Sequence, residues 1–182
     1  MRGVTLVYPT ISEQDRMTLN ELVLVAEDNP DDALLLRRAI EKAGISARVK
    51  IVADGEEMLL YLQGRGAYAN RSSSPLPSLI ILDLKMPRKS GLEVLEWINQ
   101  NPDVAVVPTI VLSASNLEKD VRAAYNLGAN TYFVKPTTFE ELVETMRTLE
   151  KYWKKAAKLR PENGSTSQPA DTTARNAAAP LL

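Results

Sequence analysis

Four short apolar runs in this chain each lead into a side chain that suits metal or phosphate chemistry. Residues 22–26, 79–82, 109–112 and 132–134 are almost entirely apolar, as strands are when both faces of a sheet are covered. Helical patterns separate these runs, and such alternation predicts an α/β fold with a parallel sheet, because parallel strands need long crossover connections. The side chains that follow the runs are those of Glu27, Asp28, Asp83, Ser113 and Lys135.

The order of the strands decides whether these side chains meet. With a further run at residues 49–53, right-handed crossovers give a doubly wound, five-stranded (βα)5 sheet. The flavodoxin-like order 2-1-3-4-5 places Glu27 and Asp28 next to Asp83, at the carboxyl edge where open α/β sheets bind ligands. Periodicity does not establish this order, and the chemistry of the strand ends selects it.

Composition limits the chemistry further. The 182 residues include no cysteine and no histidine, which excludes disulfides, thiolate catalysis, histidine metal sites and a phosphohistidine on this chain. With 22 basic and 23 acidic residues, the chain lacks the basic surface typical of nucleic-acid binding. No apolar stretch approaches the roughly 18 residues of a membrane span, and the N-terminus lacks a secretory signal. We expect a cytoplasmic protein that binds neither nucleic acid nor membrane.

The patterned part of the chain predicts one domain over residues 20–159. Residues 1–19 read as a weakly structured extension, within which Met17 is an alternative start. Residues 160–182 have too little apolar content to order themselves, so we expect a disordered tail.

Three clustered carboxylates repel one another unless a cation lies between them or a pKa rises. Mg²⁺ suits Glu27, Asp28 and Asp83, because it is a hard cation that carboxylates, water and a substrate phosphate hold in proteins. A simpler alternative is that Glu27 and Asp28 only accompany a helix N-terminus, where the dipole favours acids. Ser113 alone is more often an ordinary strand-end hydroxyl, and Lys135 alone an exposed turn residue. Their value lies in their joint placement.

Four ordered blocks of the sequence resemble the signature blocks of two-component response-regulator receiver domains. The blocks are residues 24–30, 82–87, 112–115 and 133–136, and the resemblance covers about residues 21–153. It implies a single-domain response regulator in a phosphorelay, which catalyses only its own phosphorylation and dephosphorylation.

A narrower resemblance concerns residues 27–32, 65–68 and 126–130. These segments are similar to the stand-alone receivers that pair with bacterial and cyanobacterial phytochrome histidine kinases. The resemblance therefore implies a sensor histidine kinase of the phytochrome type as the partner.

The family resemblance implies a role for each residue near the acidic cluster. Asp83 is implied as the phosphoacceptor, which attacks a phosphohistidine on the partner kinase. Asp28 and Asp83 are implied as direct Mg²⁺ ligands, with Glu27 acting mostly through water and Lys85 through its backbone carbonyl. Lys85 and Ser115 flank the site and are implied to tune the lifetime of the phosphate.

Further implied roles concern the response to the phosphoryl group. Lys135 is implied to pair with this group, and the bond between Lys135 and Pro136 is usually cis in such domains. Ser113 is implied to hydrogen-bond the group and draw its loop inward. Tyr132 is implied to swing from an exposed to a buried position as the switch residue.

The last predicted helix contains an aromatic pair, Tyr152 and Trp153. Such a pair is hard to bury within one small domain, and aromatic side chains are enriched in protein interfaces. We therefore predict that Tyr152 and Trp153 lie in a homodimer interface. We expect output through protein contact or onward phosphotransfer.

Two alternatives remain open on the sequence. A haloacid-dehalogenase-like phosphotransferase also forms an aspartyl phosphate beside Mg²⁺, but it needs a second aspartate two residues after the nucleophile, where this chain has Lys85. A phosphorylation-silent binding module would keep the fold without the chemistry. The presence of all five strand-end side chains argues against this second alternative.

Overall fold

The computed structural model describes residues 21–157, apart from the side chains of residues 152 and 154–157. The predicted extension over residues 1–19, the alternative start at Met17 and the predicted disordered tail over residues 160–182 lie outside the described residues. Within the described range, no helix has both the length and the apolar composition needed to cross a membrane.

In this part of the chain, five parallel strands form one sheet in the order β2-β1-β3-β4-β5. The predicted flavodoxin-like strand order is therefore confirmed. The strands are β1 (Leu22–Ala26), β2 (Arg48–Val52), β3 (Leu79–Leu82), β4 (Thr109–Ser113) and β5 (Thr131–Val134).

Six α-helices connect and follow these strands within residues 21–157, one more than the sequence predicts. The additional helix is a single turn that begins at Pro102, shortly before β4. The helices are α1 (Pro30–Lys42), α2 (Gly55–Gln63), α3 (Gly91–Gln100), α4 (Pro102–Ala105), α5 (Glu118–Asn126) and α6 (Phe139–Ala157).

Both faces of the central strands β1, β3 and β4 are buried, as their nearly continuous apolar runs predict, while the edge strands β2 and β5 are partly exposed. Neighbouring residues of one strand point to opposite faces, so Leu24 packs towards Met58 of α2 while Val25 packs towards Ile40 of α1. Two separate apolar clusters result, one on each face. The central strands β1 and β3 are thus fixed from both sides, and the loops that follow them start from rigid positions.

Side-chain caps begin α1 and α3, the helices that leave the carboxyl edge after β1 and β3. The Asn29 Oδ1 atom accepts hydrogen bonds from the backbone N–H groups of Asp31 at 2.9 Å and Asp32 at 3.3 Å. Ser90 and Glu93 form a reciprocal capping box at the start of α3. These caps satisfy N–H groups that have no partner inside the helix, and they fix the loops after β1 and β3.

The long loop over residues 64–78 is tied back to the C-terminal end of α2. The Arg71 guanidinium donates to the carbonyl oxygens of Tyr61 at 2.8 Å and Leu62 at 2.5 Å, and the Tyr61 hydroxyl donates to the Pro75 carbonyl at 3.0 Å. A cation at this end of a helix satisfies free carbonyls and is favoured by the helix dipole. The loop is thus ordered at a distance from the carboxyl edge.

Trp153 is buried, so its predicted place in a homodimer interface is wrong. Only 2% of the residue is exposed, and it belongs to the apolar cluster that includes Ile40, Val143 and Leu149. Trp153 continues the apolar stripe of α6 at helical spacing, and this 19-residue helix packs along α1 far enough to cover the ring. The side chain of Tyr152 lies outside the described residues.

We expect Trp153→Ala to lower the free energy of unfolding by about 3–5 kcal/mol, because it leaves a cavity between α1 and α6. Urea denaturation measures the change. Lys151→Ala, which alters an exposed residue of the same helix, is the control and should change stability by less than about 0.5 kcal/mol. Wild-type stability of Trp153→Ala together with a changed sedimentation coefficient would instead support the interface.

Candidate functional site

The carboxyl edge of the sheet brings together the five strand-end side chains that the sequence singled out. Because β1 and β3 are neighbours, Glu27 and Asp28 lie beside Asp83, and each of these acids has a carboxylate oxygen within 4.8 Å of the others. Ser113 reaches the group from the end of β4, and Lys135 reaches it from the end of β5.

Asp83 is a buried carboxylate with partners on both oxygens. Its Oδ1 atom accepts from the Ser113 hydroxyl at 2.7 Å and from the Lys85 backbone N–H at 3.1 Å. Its Oδ2 atom lies 2.7 Å from the ammonium nitrogen of Lys135. The residue is 6% exposed, so these contacts fix the carboxylate in one orientation within a largely water-excluded setting.

A close backbone approach places this acid at the edge. A Cβ atom on Gly91 would lie 2.2 Å from the carbonyl oxygen of Asp83, so only glycine lets α3 begin against the end of β3. The Gly91 N–H group donates to the Leu84 carbonyl at 2.9 Å and closes the intervening loop.

Lys135 lies among three carboxylates. Its ammonium nitrogen is 2.7 Å from Glu27 Oε2 and 3.0 Å from Asp32 Oδ2, in addition to its contact with Asp83. Burial alone would lower the pKa of Lys135, but its hydrogen bonds to Asp83 and Glu27 outweigh burial and raise the pKa above its usual range. The side chain therefore remains positively charged.

The backbone of Lys135 extends the sheet, because its N–H group donates to the Ser113 carbonyl at 2.8 Å. No peptide bond among residues 21–157 is cis. The expectation of a cis bond between Lys135 and Pro136 is therefore wrong for this structure. The two isomers of an X–Pro bond differ by only about 0.5–1 kcal/mol, and sequence alone does not decide between them.

Asp32 is a site residue that the sequence did not single out. It lies in the first turn of α1, where acids are generally favoured, and that pattern does not separate it from its neighbour Asp31. Helical spacing gives no signal either, because Asp28 precedes the cap Asn29 and lies outside the helix. The contact with Lys135 depends on the position of β5, which the sequence pattern of α1 does not contain.

The acidic group fits a divalent cation by its chemistry. Glu27 and Asp83 are buried, Asp28 is exposed, and all three offer the hard oxygen ligands that Mg²⁺ and Mn²⁺ prefer. Burial raises the pKa of Glu27 above its usual range, although hydrogen bonding to Lys135 opposes this rise. One lysine facing several acids leaves negative charge for a second cation to neutralise.

Tyr132 links β5 to the loop that follows β4. Its hydroxyl donates to the Ser115 carbonyl at 2.7 Å, and the Ser115 hydroxyl donates to Asp120 Oδ2 at 2.5 Å in the first turn of α5. Tyr132 is half-buried, and burial raises its pKa. The structure thus shows a position with a hydrogen bond to the loop, and the predicted swing from an exposed position stays a prediction.

In the absence of metal, we expect Lys135→Met to lower the free energy of unfolding by about 3 kcal/mol, because the buried carboxylates lose the ammonium that balances their charge. Added Mg²⁺ should then raise the melting temperature more in Lys135→Met than in the wild type. Thermal unfolding in EDTA and in Mg²⁺ measures both effects.

Lys85→Met is the matched control, since it removes an exposed ammonium and keeps the backbone of the site. Equal Mg²⁺ stabilisation of Lys135→Met and Lys85→Met would show that Lys135 does not balance the acidic cluster.

Comparison with known proteins identifies the family of this chain. Residues 23–147 match the model of the response regulator receiver domain. The response regulator Rcp1 of Synechocystis sp. is 37% identical over 133 residues, which are 73% of this chain and 88% of that protein. The crystal structure of the Mn²⁺-bound form of Rcp1 covers 73% of this chain and 94% of its own, with a TM-score of 0.66 and 36% identity.

Two further crystal structures are similar to this chain, and each covers 73% of it and 93% of its own chain. The response regulator RPA3017 in red light signaling of R. palustris has a TM-score of 0.69 and 40% identity. The phosphorylated cyanobacterial phytochrome response regulator RcpA has a TM-score of 0.68 and 34% identity. Fold, site geometry and these matches agree that the chain belongs to the family of response regulator receiver domains.

Proposed function

We propose that this chain is a single-domain response regulator that accepts a phosphoryl group on Asp83 from a sensor histidine kinase, in a Mg²⁺-dependent reaction. The observation that carries the proposal is the setting of Asp83, a buried carboxylate that Ser113 and Lys135 orient beside two further acids. A phosphorylated RcpA structure and a Mn²⁺-bound Rcp1 structure support the same chemistry for this chain.

In the proposed transfer, a carboxylate oxygen of Asp83 attacks the phosphorus of a phosphohistidine. The new O–P bond forms as the P–N bond breaks, and the leaving imidazole takes up a proton. The histidine belongs to the partner, because this chain has none. Glu27, Asp28 and Asp83 would hold Mg²⁺, with the Lys85 carbonyl as a further ligand, and the bound ion supplies charge neutralisation at the transferring oxygens.

Lys135 and Ser113 receive the new group. The ammonium of Lys135 stays charged and pairs with a phosphoryl oxygen, which requires it to leave Asp83 Oδ2. The Ser113 hydroxyl already donates to Asp83 Oδ1, so it follows the phosphoryl oxygen and draws its loop inward. The Tyr132 hydroxyl contacts the Ser115 carbonyl in that loop, so a shift of the loop changes the position that Tyr132 prefers.

Two residues beside the site are proposed to tune the lifetime of the phosphate. Lys85 exposes its side chain next to the acceptor, while the Ser115 hydroxyl is held by Asp120. Each of them lies two residues after a site residue, Asp83 or Ser113, so its side chain belongs to the surroundings of the acceptor.

A phytochrome-type kinase in the cytoplasm is the proposed partner. The support comes from relatives, since RcpA is a phytochrome response regulator and RPA3017 belongs to red light signaling. A homodimer also remains a proposal, but it loses Trp153 as an anchor because that residue is buried. Output is proposed to occur through protein contacts.

A phosphorylation-silent binding module is the remaining alternative. It would retain the fold and bind Mg²⁺ without ever forming the aspartyl phosphate. The haloacid-dehalogenase-like alternative loses its support, because the receiver family model covers residues 23–147 and Lys85 occupies the position of its second aspartate.

We expect acetyl phosphate with Mg²⁺ to add one phosphoryl group to the wild type and none to Asp83→Asn, because the amide is not a nucleophile. Intact-protein mass spectrometry with and without Mg²⁺ measures the adduct, and a Phos-tag gel controls for rapid hydrolysis. Asp103→Asn, an exposed acid in α4, should behave as the wild type does. A wild type that binds Mg²⁺ but never acquires the adduct would favour the silent module.

We expect a purified phytochrome-type histidine kinase to transfer its phosphoryl group to this chain at least about tenfold faster than histidine kinases of other classes, which corresponds to about 1.4 kcal/mol. Time courses with radiolabelled kinases measure the transfer. Equal rates from all kinases would contradict the phytochrome pairing while leaving Asp83 as the acceptor.

A further inference from the structure

Asp32 contacts Lys135 but does not belong to the acidic group that fits a metal. We propose that Asp32 is a positioning residue that holds the Lys135 ammonium in competition with the phosphoryl group, and thereby favours the unphosphorylated state of Asp83. This inference rests on the proposed function and assigns Asp32 to the regulation of the same site.

The contacts of Lys135 leave its ammonium without a spare donor. An ammonium has three N–H groups, and in the described structure Lys135 has three carboxylate partners. The distances are 2.7 Å to Glu27, 2.7 Å to Asp83 and 3.0 Å to Asp32. In the proposed transfer Lys135 leaves Asp83 Oδ2, which frees one N–H group for a phosphoryl oxygen. Glu27 and Asp32 still hold the other two N–H groups, and they oppose movement of the ammonium towards the phosphoryl group.

The three carboxylates that contact Lys135 differ in the other interactions that they can make. Glu27 and Asp83 are buried and share with Asp28 the group of oxygens that fits a divalent cation. Asp32 lies outside that group, and its side chain is 40% exposed. When a cation takes up charge from Glu27 and Asp83, Asp32 remains the partner that keeps full negative charge beside Lys135.

Asp32 also faces the space beside the site. A cavity of about 300 Å³ is lined by Glu27, Asp32 and Lys135, together with apolar residues of α1 and α6. A phosphoryl group on Asp83 brings further negative charge towards this carboxylate. Because Asp32 is partly exposed, water and salt screen the repulsion, so the effect is expected to be moderate.

The chain contains a matched control in the preceding residue. Asp31 is also an acid in the first turn of α1, and it is exposed. Both residues interact with the helix dipole and contribute the same charge to the edge. Of these two acids, the described structure shows only Asp32 in contact with Lys135, so a comparison of Asp31→Asn with Asp32→Asn isolates that contact.

The test measures binding of beryllofluoride, an analogue of the phosphoryl group, to the full chain in Mg²⁺ by NMR titration. We expect Asp32→Asn to bind it about threefold to tenfold more tightly than the wild type, within the range of partly exposed ion pairs. Asp31→Asn should stay within about twofold of the wild type, and Asp32→Glu should restore wild-type binding. The Mg²⁺ affinities of the two asparagine variants should agree.

An equal increase in beryllofluoride affinity in Asp31→Asn and Asp32→Asn would show that the effect comes only from the loss of one negative charge. This result would overturn the proposal. Weaker analogue binding by Asp32→Asn would also overturn it, because Asp32 would then orient Lys135 towards the phosphoryl group. A wild type that binds no analogue would instead overturn the proposed function, which makes the two failures distinguishable.

A second measurement needs neither metal nor phosphoryl group. In EDTA, urea denaturation of Asp32→Asn, Lys135→Met and the double variant should show coupling beyond about threefold in the folding equilibrium. The corresponding cycle with Asp31→Asn should be additive. If both cycles were additive, the contact between Asp32 and Lys135 would contribute no coupling energy, and the proposal would be overturned.

Discussion

The ion pairs of Lys135 are the interaction on which this site depends. One ammonium lies within 3.0 Å of carboxylates that follow β1, follow β3 and begin α1. Without that ammonium, the acids would repel one another at an edge that burial makes poor in water. The ion pairs of Lys135 thus connect the last strand to the first and third strands. The same ion pairs balance part of the negative charge at this edge.

Lys135 neutralises only part of the negative charge at this edge, and the proposed chemistry requires such a remaining negative charge for a divalent cation. One lysine contacts Glu27, Asp32 and Asp83, and Asp28 lies beside two of these acids. Negative charge therefore remains for a divalent cation to balance. In the proposed function, arrival of a phosphoryl group would redistribute the ammonium among its acceptors. Ser113 would carry this change towards the loop after β4, where the hydroxyl of Tyr132 is bound.

Much of the fold follows from local pattern, and the errors have a common origin. The parallel sheet and the five side chains at its edge were predictable, because buried strands read as apolar runs and parallel strands end at one edge. The strand order was selected by the chemistry of the strand ends, and not by the apolar runs. The burial of Trp153 was missed because it depends on how far α6 extends along α1. Asp32 was missed because its partner lies 103 residues away.

The sequence by itself determined the parallel sheet, the absence of histidine and the presence of acids, hydroxyl and lysine at strand ends, because these depend on residue type and short-range spacing. Tertiary structure decided which acids share the lysine, which of them can share a cation and whether the last aromatic residues are surface or core. Those outcomes depend on distances of a few ångströms between elements that are far apart in the chain. Such distances are set by packing, and no local pattern contains them.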